Sequence, residues 1–213
     1  MISEQINKVL VLAPHTDDGE FGCGATISKL IEAGKEVHLA AFSPCRKSVP
    51  EGFPKDVLEH ELKAATAVLG IKPEHLYLYE YEVRIFPSKR QEILEDMIRL
   101  RKKVAPDLVF IPSLNDVHQD HFTIAEEGRR AFKFSNILSY EMPWNNFNFN
   151  TACFIKVSDK DLDQKIAALK EYKSQYFRTY ADEHFIKSLA SVRGTQSGGG
   201  YAETFEIVRW IIK

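Results

Sequence analysis

Cysteine is scarce in this chain and never clustered. Cys23, Cys45 and Cys153 are an odd, widely spaced set with no C-x-x-C pair, which argues against a disulfide framework and thiolate zinc and suits a reducing compartment. Long apolar runs are missing too; none approaches the roughly 20 residues that span a bilayer, so no transmembrane segment is expected. The opening MISEQINK has neither a basic region nor an apolar core, so no secretory leader is expected and a soluble, cytoplasmic protein is. Nor does one sign of charge dominate. With 28 Lys+Arg against 30 Asp+Glu the net charge is −2, leaving no basic footprint for a nucleic-acid partner. What is present is ordinary for a globular protein: 44% hydrophobic and 27% charged residues over 213 positions. That length suits one well-buried domain better than two. No domain boundary is visible, and residues 1–213 are expected to form a single domain.

The chemistry concentrates in two polar loops. Val9 to Ala13 is a continuous apolar run, the pattern of a parallel strand buried on both faces. Pro14 ends it, His15, Asp17 and Asp18 follow, and Gly19, Gly22 and Gly24 loosen the turn into a helix carrying Ile27, Leu30 and Ile31. The acidic pair could simply cap that helix. A strand that empties into such a loop is also where open α/β sheets keep their chemistry. Asp107 to Pro112 repeats the arrangement, opening into SLNDVHQDH with His118, Asp120 and His121. Two loop histidines alone read as solvated polar residues. Two loops leaving the carboxyl ends of parallel strands can meet at one sheet edge, however. There, one His and one Asp from the first loop and one His from the second make a three-ligand N/O set with an open fourth position. That is the composition of a catalytic zinc site. The surplus histidine and carboxylate are what acid–base chemistry requires.

The remaining pattern is a series of β–α units. EVHLAAFS (Glu36 to Ser43), HLYLYEY, ILSYE (Ile137 to Glu141) and CFIKVS read as strands, and YAETFEIVRWII is read as a strand with a helix left open. Helices are expected over 55–69, around Ile93, Met97, Leu100 and Val104, after His121, around Leu162 to Leu169, and over 182–192. The segment Gly194 to Gly200 is the one low-complexity stretch, and it is expected to be mobile, with a lid role left open. The implied architecture is α/β: a Rossmann-like, doubly wound, mostly parallel sheet with helices on both faces. In the order 3-2-1-4-5 the first and fourth strands are neighbours at the crevice. Two further loops follow strands and could rim it, one with Arg84, the other with Trp144 and Asn145. An aromatic beside amides suits a sugar ring, and a Trp anchoring a turn in the core is the equal alternative. Arg46, Lys47 and His60 are read as solvated.

PHTDDGEFGCGATI resembles the HPDD-x-E-x-G-x-GG signature of the PIG-L/LmbE-like metal-dependent N-deacetylases. VHQDH is similar to their H-x-D-H motif, YKSQ (Tyr172 to Gln175) to a further short block, and RGTQSGGGYAETF to their C-terminal RG…YAEAF stretch. The matches run in order from residue 14 to residue 206. Thr16 departs from the usual proline, and Leu58 stands where many members carry an arginine. The resemblance implies a Rossmann-like fold and hydrolysis of a linear C–N amide bond, removing an acetyl or related acyl group from an N-acetylated sugar or sugar conjugate. It implies a divalent metal, Zn2+ with Fe2+ as the alternative occupant, held by His15, Asp18 and His121. Asp17 would then be the general base, His118 an imidazolium that stabilises the oxyanion and protonates the leaving amine, and Asp120 a partner orienting a histidine. The sequence is compatible with a homo-oligomer and does not fix one.

Other functions fit the residues less well. A dinucleotide-binding oxidoreductase would begin with strand, glycine-rich loop and helix, but the glycines here are spaced G-x-x-G-x-G and the second strand lacks the acidic residue that takes a ribose hydroxyl. Two histidines and a carboxylate also compose the triad of non-haem iron oxygenases, but the spare carboxylate base favours hydrolysis. A metal-stabilised carbohydrate-binding module would not need Asp17 or His118.

Overall fold

The computed structural model describes residues 5–212. Its strands are β1 (Lys8–Ala13), β2 (Glu36–Ala41), β3 (Leu76–Leu78), β4 (Leu108–Pro112), β5 (Asn136–Tyr140), β6 (Cys153–Val157) and β7 (Tyr201–Arg209). The helices are α1 (Asp18–Glu32), α2 (Val57–Leu69), α3 (Arg90–Val104), α4 (Gln119–Ala131), α5 (Asp159–Leu169) and α6 (Glu183–Gln196). One seven-stranded sheet runs in the order β3-β2-β1-β4-β5-β7-β6. The first five in that order are parallel, and β7 inserts antiparallel between β5 and β6. The expected 3-2-1-4-5 order therefore holds, with an antiparallel pair added at the far edge.

The continuous apolar run of β1 has the reason expected of it. Side chains alternate across a strand, so Val9, Val11 and Ala13 enter one core while Leu10 and Leu12 enter the other. The first core also takes Ile27 of α1, Leu62 of α2 and Ile166 of α5; the second takes Ile93 and Met97 of α3 and Ile124 of α4. Both faces are covered, as a parallel sheet requires.

Helix α1 is broken at Cys23, where φ is −150°. The break is held from a distant part of the chain. Lys165 Nζ donates to the Phe21 carbonyl at 2.6 Å and to Glu203 at 2.7 Å, and the Glu203 carboxylate accepts from the backbone N–H of Thr26 at 2.7 Å and of Ala25 at 3.3 Å. One buried ion pair thus caps both ends of the interruption, supplying the orphan groups of two half-helices. Gly22 beside it is needed for close approach: a Cβ there would lie 2.3 Å from the Tyr140 ring.

Three expectations change. HLYLYEY contributes only Leu76–Leu78 to the regular ladder, although Tyr79 and Tyr81 still donate to Ala41 and Phe42. Helix α4 begins before His121, with His118 as its N-cap, so His121 lies in a first helical turn, not in a loop. The segment Gly194 to Gly200 is not all loop. Helix α6 continues to Gln196, and a tight turn follows in which Gly199 N–H donates to Gly194 O at 2.8 Å. A Cβ on Gly194 would meet Gly200 O at 1.7 Å, so that glycine marks crowding, while Gly198, Gly199 and Gly200 take left-handed φ values of 95°, 105° and 77° that favour glycine in the turn. Arg46 and Lys47 pair with Glu59, Glu80 and Glu82, and His60 with Asp56, all at the surface.

Candidate active site

The loops after β1 and β4 meet because these strands are neighbours. Three donor atoms converge there: His15 Nδ1, Asp18 Oδ2 and His121 Nε2, each 3.2 Å from the other two. Two ring nitrogens and a carboxylate oxygen at equal spacing would be an odd hydrogen-bonded triangle. The spacing is close to the edge of a tetrahedron whose centre lies about 2.0 Å from N and O donors, the zinc distance. The donor set and its spacing therefore fit a divalent metal. A looser triangle replaces Asp18 with His118, its donor atoms lying within 4.8 Å of one another. The tighter set is the better cage, because His118 uses Nδ1 to accept the Asp120 N–H at 3.2 Å and cap α4.

Each of the two histidines in the tight set is held from behind by a carboxylate. His15 Nε2 lies 3.1 Å from Asp120 Oδ2, and His121 Nδ1 lies 2.8 Å from Asp116 Oδ2. Such partners fix the ring and raise its basicity as a ligand. Asp120 orients the histidine of the other loop and also accepts from the Arg84 and Phe86 N–H groups at 2.6 and 3.3 Å. It thereby clamps the β3–α3 loop to the site, with Arg84 at a left-handed φ of 71°. Asp116 has a second task, accepting the His118 N–H at 2.8 Å. Sequence reading missed Asp116, since one aspartate in SLND looks solvated; its spacing five before His121 was the only signal.

Charge follows this packing. Burial opposes ionisation of His121, but Asp18 and Asp116 outweigh it and push its pKa up to about 10. Burial likewise opposes charge on Asp18, and His121 and His15 hold that carboxyl well below its usual range. Asp17 goes the other way, raised by burial and by the Asp18 charge. It occupies the N-cap position of α1, yet its side chain makes no capping bond, so the plain capping role does not explain it. Glu20 is fully buried and is raised by that burial to about 8. His118 is lowered by burial and by neighbouring His15 and His121.

A cavity of about 300 Å³ opens over these groups, lined by His15, Asp17, Asp18, His118 and His121 and by Arg84, Trp144 and Asn145. Every site residue picked from sequence except Asp120, which stands behind His15, thus faces one space. Trp144 serves both roles weighed for it. It stacks on Tyr180 at 4.1 Å and meets Phe21 edge-on at 5.3 Å, while still lining the cavity. Gln175, which the sequence places in the YKSQ block without a role, lines the wall with Arg178 and Tyr180, which were not foreseen; their segment has no periodicity, and they reach the site by tertiary packing. Leu58 also faces the cavity, so the position where the resemblance led to an expected arginine is apolar here.

The sequence profile described as PIG-L: GlcNAc-PI de-N-acetylase matches residues 10–132. The uncharacterized deacetylase YaiS of Escherichia coli (strain K12) is 27% identical over 172 residues, covering 78% of this chain and 90% of YaiS. Diacetylchitobiose deacetylase of Thermococcus kodakarensis is 24% identical over 230 residues, covering 95% of this chain and 84% of that enzyme. Among solved structures, the conserved protein TT1542 from Thermus thermophilus superposes with a TM-score of 0.78 at 25% identity, covering 98% of this chain and 97% of its own.

Proposed function

The chain belongs to the PIG-L family, whose profile spans more than half of it, and from that premise we propose that it is a metal-dependent N-deacetylase of an N-acetylated sugar or sugar conjugate. The observation that carries the metal is the triangle of His15, Asp18 and His121 donor atoms at 3.2 Å. The acetylated-sugar substrate rests on the family and on relatives named as deacetylases, because a fold alone does not choose a chemistry. His15, Asp18 and His121 would hold a divalent ion, zinc by the donor set, which when bound would supply a water acidified from a pKa of about 15.7 towards about 7.

The chain's own residues supply the rest. Asp17 accepts the proton of the attacking water; its raised pKa brings it nearer neutrality, where a base is most effective. The amide carbon gains the hydroxyl, and the C–N bond breaks as Asp17 passes that proton to the departing nitrogen, leaving an amine and acetic acid, which releases its own proton to solvent as acetate. His118 is read differently from the imidazolium expected by resemblance. Its Nδ1 is an acceptor in the cap of α4, so the neutral ring presents Nε2–H. Its lowered pKa favours that form. It donates to the carbonyl oxygen as negative charge develops there. Asp120 and Asp116 keep the two ligand rings in place, and Arg84, Trp144, Asn145 and Arg178 contact the sugar or what it is attached to.

The test is release of acetate from N-acetylated free sugars, glycosides, nucleotide-linked and lipid-linked sugars, before and after metal stripping. Acetate release that stops on stripping and returns with zinc is expected. Hydrolysis at an unchanged rate by stripped protein overturns the mechanism.

A further inference from the structure

A second group of metal-ligating side chains lies at the opposite end of the sheet. β2 runs parallel to β1, so its first residues are as far from the cavity as the strand allows. Glu36 and His38 are two apart on β2 and share one face. Leu76 of β3 pairs with Leu39, which brings His75, one residue earlier, beside His38. The two imidazoles lie 4.1 Å apart between ring centroids, and one donor atom each from Glu36, His38 and His75 fall within 4.8 Å of one another. From these placements we propose that Glu36, His38 and His75 form a second transition-metal site, taking one zinc-class ion independently of the cavity.

Three features fit an ion there. The set is two histidines and one carboxylate, which suits zinc and its neighbours and not calcium or magnesium. His38 is 5% exposed and its Nδ1 lies 3.3 Å from the Tyr77 hydroxyl, so Nε2 is the nitrogen that faces Glu36, at 2.8 Å. Tyr77 then serves as the outer partner that a ligating histidine needs. The adjoining groove, lined by Gly34, Lys35, Glu36, Gly70, Lys72 and His75, lies at the C-terminal ends of α1 and α2, whose partial negative charge favours a cation against the two lysines. Lys8 Nζ now stands 3.6 Å from Glu36, and the ion replaces that contact. Glu36, with 39% of its side chain exposed, is free to swing from its hydrogen bond on His38 to the metal.

The experiment counts metal on the untagged full chain, stripped and then dialysed against micromolar Zn2+. Two ions per wild-type chain are expected, one in His75→Ala, one in His121→Ala and none in the double variant. His75→Ala should keep its circular dichroism and its acetate-release rate. Glu36→Gln, at an exposed position, should lose the same ion, and Tyr77→Phe should weaken it roughly tenfold. A wild-type chain holding a single ion, lost in His121→Ala and kept in His75→Ala, overturns the proposal and leaves the cavity site standing. An ion lost in His75→Ala and kept in His121→Ala supports it whatever the cavity does.

Discussion

Asp116→Asn is the sharpest probe of the site, because the change is nearly isosteric and the structure dictates what it must break. The carboxylate accepts two short hydrogen bonds, from the buried His121 Nδ1–H at 2.8 Å on one oxygen and from the half-buried His118 N–H at 2.8 Å on the other, with the Asn145 amide 3.5 Å from the first. An asparagine offers one acceptor oxygen, so one of the two must face an NH2 group. If His118 N–H keeps the oxygen, His121 is driven to the tautomer with its proton on Nε2, the nitrogen that points at Asp18 and His15. If His121 keeps it, the half-buried His118 N–H loses its partner, at up to about 1 kcal/mol. Loss of a carboxylate behind a ligating histidine lowers metal affinity about 10–100-fold, equivalent to roughly 1.4–2.7 kcal/mol. Both routes therefore lead to the same expectation: zinc affinity down by one to two decades, with the circular dichroism unchanged. Competition against a chromophoric chelator measures it directly. An Asp116→Asn protein that holds zinc as tightly as wild type would refute the idea that this carboxylate sets the His121 tautomer.

Three other outcomes are expected. Asp17→Asn should keep its metal and lose about 10²–10⁴-fold in kcat, while Asp18→Asn should lose metal and recover part of its activity in added zinc; reversed stoichiometries mean reversed roles. Trp144→Ala and Arg84→Ala should raise KM more than they lower kcat, the sign of lost uniform binding, and unchanged kinetics in both would make these loops scaffolding only. Glu20 has a folded pKa of about 8 against 4.5 unfolded, so its stabilising effect is complete below 4.5 and is lost as pH rises to 8, at about 1.4 kcal/mol per unit. Metal-free Glu20→Gln should therefore gain melting temperature relative to wild type across that window, and a gap that does not change with pH refutes the assignment.

What could be read from sequence depended on whether the signal was local. The two loops were legible because each follows an apolar run that only a strand buried on both faces explains, and the adjacency of β1 and β4 follows from the doubly wound order. Asp116 and Arg178 carry no local mark: one acts across a helix turn on His121, the other arrives from an aperiodic segment. The place of β7 between β5 and β6 was equally hidden, since the insertion is long-range and nothing in YAETFEIVR names its partners. The glycine-rich stretch misled because composition reports what a residue permits. Only the structure shows that close packing selects Gly194 and that left-handed backbone selects Gly198, Gly199 and Gly200.

The later motifs make physical sense once they are traced back to α1. Tyr172 of YKSQ donates to the Thr16 carbonyl at 2.6 Å, pinning the loop that carries His15, Asp17 and Asp18. Ser174 binds Glu61 through both N–H and hydroxyl, at 2.8 and 2.7 Å, and Gln175 accepts from Arg178 at 2.6 Å in the cavity wall. Arg193 grips Glu141, at the root of the loop bearing Trp144 and Asn145. Glu203, through Lys165 and the Ala25 and Thr26 N–H groups, holds the break in α1. None of Tyr172, Ser174, Arg193 or Glu203 lines the cavity. Tyr172 and Glu203 act on α1 and the loop before it, whose first turn carries Asp18 opposite His121; Ser174 and Arg193 fix the neighbouring walls through Glu61 and Glu141. Breaking a buried pair such as Lys165–Glu203 leaves a lone buried charge and costs about 3–5 kcal/mol, so Glu203, far from the cavity in sequence, acts on the proposed site through the helix that begins at Asp18.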